Sequence, residues 1–143
     1  MATATLTKNE LHKFNAPIER VPAGHVFGPI LLPNILGDWR NMDANTRGIV
    51  RVVVTETGGK LWVEVYGACE PTPCDWKKVE AHAYDVTVTG GPAVAFTASY
   101  TFGFKDTLVT GHLAGAHLIV EDFNTFTDNS GRMPYFGSGT FKK

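Results

Sequence analysis

Glutamine is absent from this 143-residue chain, and leucine occurs only nine times. A helical bundle, which leans on both as helix formers, is not expected. No run of basic residues exists, and 13 Lys+Arg against 14 Asp+Glu leave a net charge of −1. A nucleic-acid partner, which needs a concentrated positive face, is not expected either. No stretch of 18 apolar residues exists, so no membrane span is expected. The first ten residues lack an apolar segment behind a basic one, which reads as no secretory signal and a cytoplasmic protein. Glycine-rich phosphate motifs are missing. The nearest approach to a nucleophile elbow, Gly137-Ser138-Gly139, is two residues short. His82, His112 and His117 form no His-x-His or His-x-x-x-His pair, so no metal and no cofactor are expected. Charged residues are 19% and hydrophobic ones 43%, which excludes a disordered chain. Cysteine occurs twice, as Cys69 and Cys74. One such pair cannot build a structural zinc site. Across a short turn the two could bond, but in a reducing compartment free thiols are the expectation.

What the chain has instead is strand-forming residues. Val, Thr, Phe, Ile, Tyr and Trp together make 51 residues, about 36%. The length fits one domain with a core of its own. Residues 1–36 differ from the rest. Pro17, Pro22, Pro29 and Pro33 remove ladder donors and forbid long helices or central strands. Thr7-Lys-Asn-Glu10 has capping-box spacing, so a helical turn or two is expected over 8–14. Ile30-Leu31-Leu32 and Ile35-Leu36 are too apolar for a solvated tail. Residues 1–36 therefore read as an extended N-terminal arm, lying on the domain or on a neighbouring subunit, and residues 37–143 as the domain.

From Gly37 the pattern is regular. Eight strands are expected: Asp38–Met42, Gly48–Thr57, Lys60–Gly67, Lys77–Val88, Ala93–Phe104, Thr107–Leu113, His117–Thr127 and Arg132–Phe141. Turn chemistry separates them, most plainly at Gly58-Gly59. Eight sequential antiparallel strands remove their open edges by closing. The expected fold is all-β, a single eight-stranded antiparallel up-and-down β-barrel. On its strands Val50, Val52 and Val54 share a face, as do Leu61, Val63 and Val65. The opposite faces carry Trp62, Glu64 and Tyr66, and Trp76, Lys78, Glu80, His82 and Tyr84. Either the aliphatic rows fill the barrel or the mixed rows line a pocket. The bulky row Val94, Phe96, Ala98, Tyr100, Phe102, Phe104 needs a cover if it faces out. Arg51, among valines, needs a partner, and Glu64 is the expected one.

Gly37-Asp-Trp39-Arg-Asn41, then Thr46 and Gly58-Gly59-Lys60-Leu61, resembles the first hairpin of the calycin barrels, the lipocalins and avidins. The ending Gly139-Thr140-Phe141-Lys142 is similar to their last strand. The resemblance spans about 30 residues. It implies a barrel with a ligand in its lumen, a tryptophan, Trp39, closing the bottom, and Asn41, with Asn45 beside it, as ligand contacts. Arg40 replaces the tyrosine expected between Trp39 and Asn41. The pocket tyrosine falls one residue from Tyr66, and no tryptophan follows residue 76. The implied ligand is therefore not biotin.

Three functional readings follow. The first is a protein that binds a small apolar or aromatic molecule through Trp39, Asn41, Trp62, Tyr66, Tyr84 and Tyr100. The second is a cofactor-free cyclase or isomerase with His82 or Glu64 as acid or base. The third is a homo-oligomeric interaction module built through the arm and the Phe-rich strand.

Overall fold

The computed structural model describes residues 30–32 and 34–143, and their regular structure is all strand. The helical turn expected over 8–14 and most of the arm lie outside the described residues. Ten strands follow in chain order: β1 (Ile30–Leu31), β2 (Gly37–Asn41), β3 (Ile49–Thr57), β4 (Lys60–Gly67), β5 (Cys74–Tyr84), β6 (Gly91–Pro92), β7 (Ala95–Thr101), β8 (Lys105–Ala114), β9 (His117–Phe126) and β10 (Tyr135–Lys142). Eight of them close into an antiparallel barrel in the order β10-β2-β3-β4-β5-β7-β8-β9. The seam is short. Phe141 pairs with Asn41 and Lys142 with Arg40, and the Met42 amide donates to the Thr140 carbonyl at 2.9 Å. β1 and β6 form a separate two-residue parallel pair.

The sequence explains the regular parts. Gly58 and Gly59 take φ of 62° and 76°, the left-handed pair that a two-residue hairpin between twisted strands requires. Alternation then decides the inside. Val52, Val54, Val63, Val65, Phe96, Ala98, Tyr100, Val109, Leu118 and Val120 are all buried. The aliphatic rows fill the barrel, and the mixed rows face out. The bulky row of β7 is also inside as far as Tyr100, so that stretch needs no external cover and is not available to a second subunit.

Packing between neighbouring strands pairs large with small. Gly111 on β8 stands opposite Phe96 on β7, and the Phe96 ring lies against the Gly111 backbone where any Cβ would collide with it. Gly111→Val is expected to destabilise by about 1–3 kcal/mol through overpacking. A melting temperature unchanged by the substitution would contradict that packing.

The two barrel ends differ. At one end Leu32 and Ile35 are buried, and the Trp39 indole Nε1 donates to the Ile35 carbonyl at 3.0 Å. Ala93 and Leu118 are buried in the same core cluster. The other end carries the loops after β2, β4, β7 and β9, and it is open.

One expected strand changes phase. Strict alternation puts Trp76 on the outer face with Lys78 and Glu80. β5 instead carries a bulge: Glu64 pairs with Lys78 and Tyr66 with Asp75, so Trp76 and Lys77 together stand opposite Val65. Lys77 takes φ 74°, costly for a non-glycine residue, and its amide donates to Asp75 Oδ1 at 2.8 Å. The extra residue turns the Trp76 ring inward, against Tyr100 at 5.6 Å and Phe102 at 5.2 Å.

Candidate functional site

The open end holds a cavity of about 800 Å³, within the range of small-ligand sites. On β10 the inward positions are Gly137 and Gly139, flanked by Asp122 and Val120 of β9. Without Cβ atoms they leave room for the Asp122 carboxylate and the Asn41 amide to lie over the strand. Trp76, Phe102 and Phe104 form the aromatic side, and Ile49, Val120 and Phe141 add further apolar lining.

The polar side is one connected network. Along β9 the inward row runs Leu118, Val120, Asp122, Asn124, from apolar at the closed end to polar at the mouth. Asn124 is its hub. Its carbonyl oxygen accepts from Thr107 Oγ1 at 2.8 Å and from Lys105 Nζ at 3.0 Å. Its amide nitrogen donates to Asp122 Oδ2 at 2.7 Å. These partners fix the orientation of the amide. Lys105 Nζ also donates to the Tyr135 hydroxyl at 3.1 Å and sits 5.4–5.6 Å from the ring centroids of Trp76, Tyr135 and Phe102.

Of the expected contacts, Asn41 lines this cavity. Its Oδ1 accepts from the Asp43 amide and its Nδ2 donates to the Ile49 carbonyl, both at 2.9 Å, so it also holds the 42–48 loop. Asn45 is exposed in that loop, its amide bonded to Asp43 Oδ1 at 3.0 Å. Trp39 lies in the plug at the opposite end. Tyr100 stands behind the aromatic wall. Its hydroxyl lies 2.8 Å from the Lys77 carbonyl and 3.1 Å from that of Val63, so it ties the bulge to β4. Burial pushes this phenol well above its ordinary pKa. Trp62, Tyr66 and Tyr84 are on the outer face, as are Glu64 and His82. Tyr84 is 46% exposed and bonds Thr97 Oγ1 at 3.1 Å. Tyr66 lies under the Arg51 guanidinium, 5.0 Å from ring centroid to Cζ, beside a smaller recess of about 410 Å³. These outer positions follow from the period of two once the aliphatic faces are inside.

Two pairings differ from expectation. Arg51 faces out and pairs with Asp38, not Glu64, through two hydrogen bonds of 2.8 and 2.7 Å. The Arg51 guanidinium holds the Asp38 carboxyl below its usual range. The choice is geometric: Asp38 pairs with Val53, so it sits diagonally beside Arg51 across β2 and β3. Cys69 and Cys74 are bonded as a disulfide rather than free, their Cα atoms 5.4 Å apart. Both line the cavity and fasten the 68–73 loop at its rim.

Beyond the rim, the 127–134 loop is fastened by charge. Hydrogen bonding from Ser130, followed by the Arg132 guanidinium at 2.8 Å, holds the Asp128 carboxyl at about 2. A carboxyl depressed in the folded state stabilises above its ordinary value of 3.8, and that contribution is lost as pH falls from there through about 2. NMR titration of the Asp128 side-chain carbon is expected to show a midpoint near 2. A midpoint at 3.8 would contradict the clasp.

Sequence reasoning missed Trp76, Phe102, Lys105 and Asn124 as members of one site. The signal for Asp122 and Asn124 was present in the inward row of β9. The signal for Trp76 was hidden by the bulge.

No family model, curated protein or solved structure matches the chain. The site therefore stands on its own geometry.

Proposed function

We propose that this is a small-molecule-binding barrel of the calycin type, taking its ligand at the open end. The observation that carries the reading is the cavity of about 800 Å³, lined by Trp76 and Phe102 together with Asp122 and Lys105, both of which are hydrogen-bonded to Asn124. An aromatic wall with a few fixed polar groups is the usual composition of a ligand site. The Gly-x-Trp-x-Asn start supports the calycin assignment, because Trp39 plugs the closed end and Asn41 reaches the open one. Native mass spectrometry against lipids, terpenoids and sugars tests it. A saturable 1:1 complex is expected with one class, and none with any class overturns the reading.

Catalysis without a cofactor is a second reading, favoured by one observation: a buried carboxylate, Asp122, lines the cavity. Glu64 and His82 lend it no support, since both stand on the outer face. Recovery of a chemically altered ligand after incubation distinguishes it from binding alone. The disulfide bears on location. Such bonds persist in oxidising compartments, which weighs against a cytoplasmic site.

A further inference from the structure

We propose that the ligand of the open end is a neutral polyhydroxylated ring compound, of the saccharide or cyclitol class, with one hydroxyl docked on Asp122. This rests on the cavity reading above and narrows it. Asp122 is nine-tenths buried, yet only its Oδ2 has a partner; among the described residues nothing donates to Oδ1. Oδ1 lies over the inward face of Gly137, on the cavity wall. Oδ1 is thus an acceptor open to the cavity, while the bond from Asn124 to Oδ2 fixes the direction in which it points.

Two donors face the same space. The amide nitrogen of Asn41 lies over Gly139, 2.8 Å from where a Cβ would stand, and uses one of its two hydrogens on Ile49. Lys105 Nζ uses two of its three hydrogens, on Asn124 and Tyr135. Gly137 and Gly139 are two residues apart on one strand face, so the Asp122 acceptor and the Asn41 donor are separated by roughly 7 Å. That is about the span of two neighbouring hydroxyls on one six-membered ring, each adding a hydrogen-bond length.

Charge and polarity exclude the other classes. A purely apolar ligand would desolvate Asp122 Oδ1 and the spare hydrogens of Asn41 and Lys105 without pairing them. A cation would meet the ammonium of Lys105, whose Nζ lies 5.4–5.6 Å from the ring centroids of Trp76, Phe102 and Tyr135. An anion would meet the Asp122 carboxylate. A hydroxyl both donates and accepts, so it satisfies Asp122 and either donor. The C–H face of the ring then packs on Trp76 and Phe102.

The test is a ligand-observed NMR titration of the full chain with glucose, galactose, mannose, N-acetylglucosamine and myo-inositol. Geraniol forms the apolar arm and benzylamine the cationic arm. The same series is run on Asp122→Asn and Lys105→Met, with melting curves for each. In Asp122→Asn the amide keeps its oxygen toward Asn124 and presents NH₂ to the cavity, turning acceptor into donor. At least one polyol is expected to bind, with affinity reduced about tenfold or more in Asp122→Asn and reduced in Lys105→Met. If Asp122→Asn does not fold, the Lys105→Met loss carries the test. Binding of geraniol or benzylamine without any polyol overturns this proposal and leaves the cavity reading standing. Binding of no probe overturns both. Polyol binding unchanged in a folded variant overturns the docking on Asp122 and Lys105.

Discussion

Trp39→Ala is expected to lower the melting temperature by about 6–20 °C. The indole is 2% exposed at the closed end of the barrel. Truncating a buried tryptophan costs about 3–5 kcal/mol through lost burial and a residual cavity. At this chain length each kcal/mol moves the midpoint about 2–4 °C. The substitution also strips the Ile35 carbonyl of its 3.0 Å donor and removes the ring beneath Lys143 Nζ, which sits 4.9 Å from its centroid. Because Ile35 precedes β2, the loss is expected to loosen the segment that plugs the barrel. Calorimetry on both proteins gives the answer, and a shift below about 3 °C would mean that the plug is not held by Trp39.

The second large effect is expected at the hub of the polar network. Asn124 is 1% exposed and serves Thr107, Lys105 and Asp122 at once. Asn124→Ala leaves a buried hydroxyl and a buried carboxylate oxygen without their partner. Each such orphan costs about 1–3 kcal/mol, and more when charged, so a total of roughly 3 kcal/mol or more is expected. Thr107→Val removes only one spoke and should cost less. Urea unfolding of the two single variants and the double variant measures the coupling. Additive effects, with Asn124→Ala no worse than Thr107→Val, would show that the network is not a unit.

The barrel was legible because its information is local and repeated. Alternating valines on β3 and β4 and the Gly58-Gly59 turn require no knowledge of distant residues. β4 begins and ends at the expected residues, Lys60 and Gly67. The sequence offers two candidate faces, and the burial of Val63 rather than Glu64 decides between them. The ends of strands were less legible. β5 begins at Cys74, not Lys77, because the Cys69–Cys74 disulfide closes a turn that leads straight into pairing with Gly67. β7 stops at Thr101, and Phe102 and Phe104 leave the sheet to become a wall of the cavity. The site was the least legible part. Aromatic count drew attention to Trp62, Tyr66 and Tyr84, but period-two geometry sends all three outward. The residues that shape the cavity are two glycines, a bulge-flipped tryptophan and a polar run at the mouth end of β9. Their significance lies in what faces them across the barrel, and a single sequence does not state that.

Backbone amide NMR mapping of the wild-type protein, titrated with the tightest-binding member of the probe set, tests the central claim most directly. Shifts are expected to concentrate at Asn41, Trp76, Phe102, Lys105, Asp122 and Gly137 to Gly139, with the closed end and the outer face quiet. Shifts confined to Trp62, Tyr66 and Tyr84 would contradict it, because they would put the ligand on the outside of the barrel.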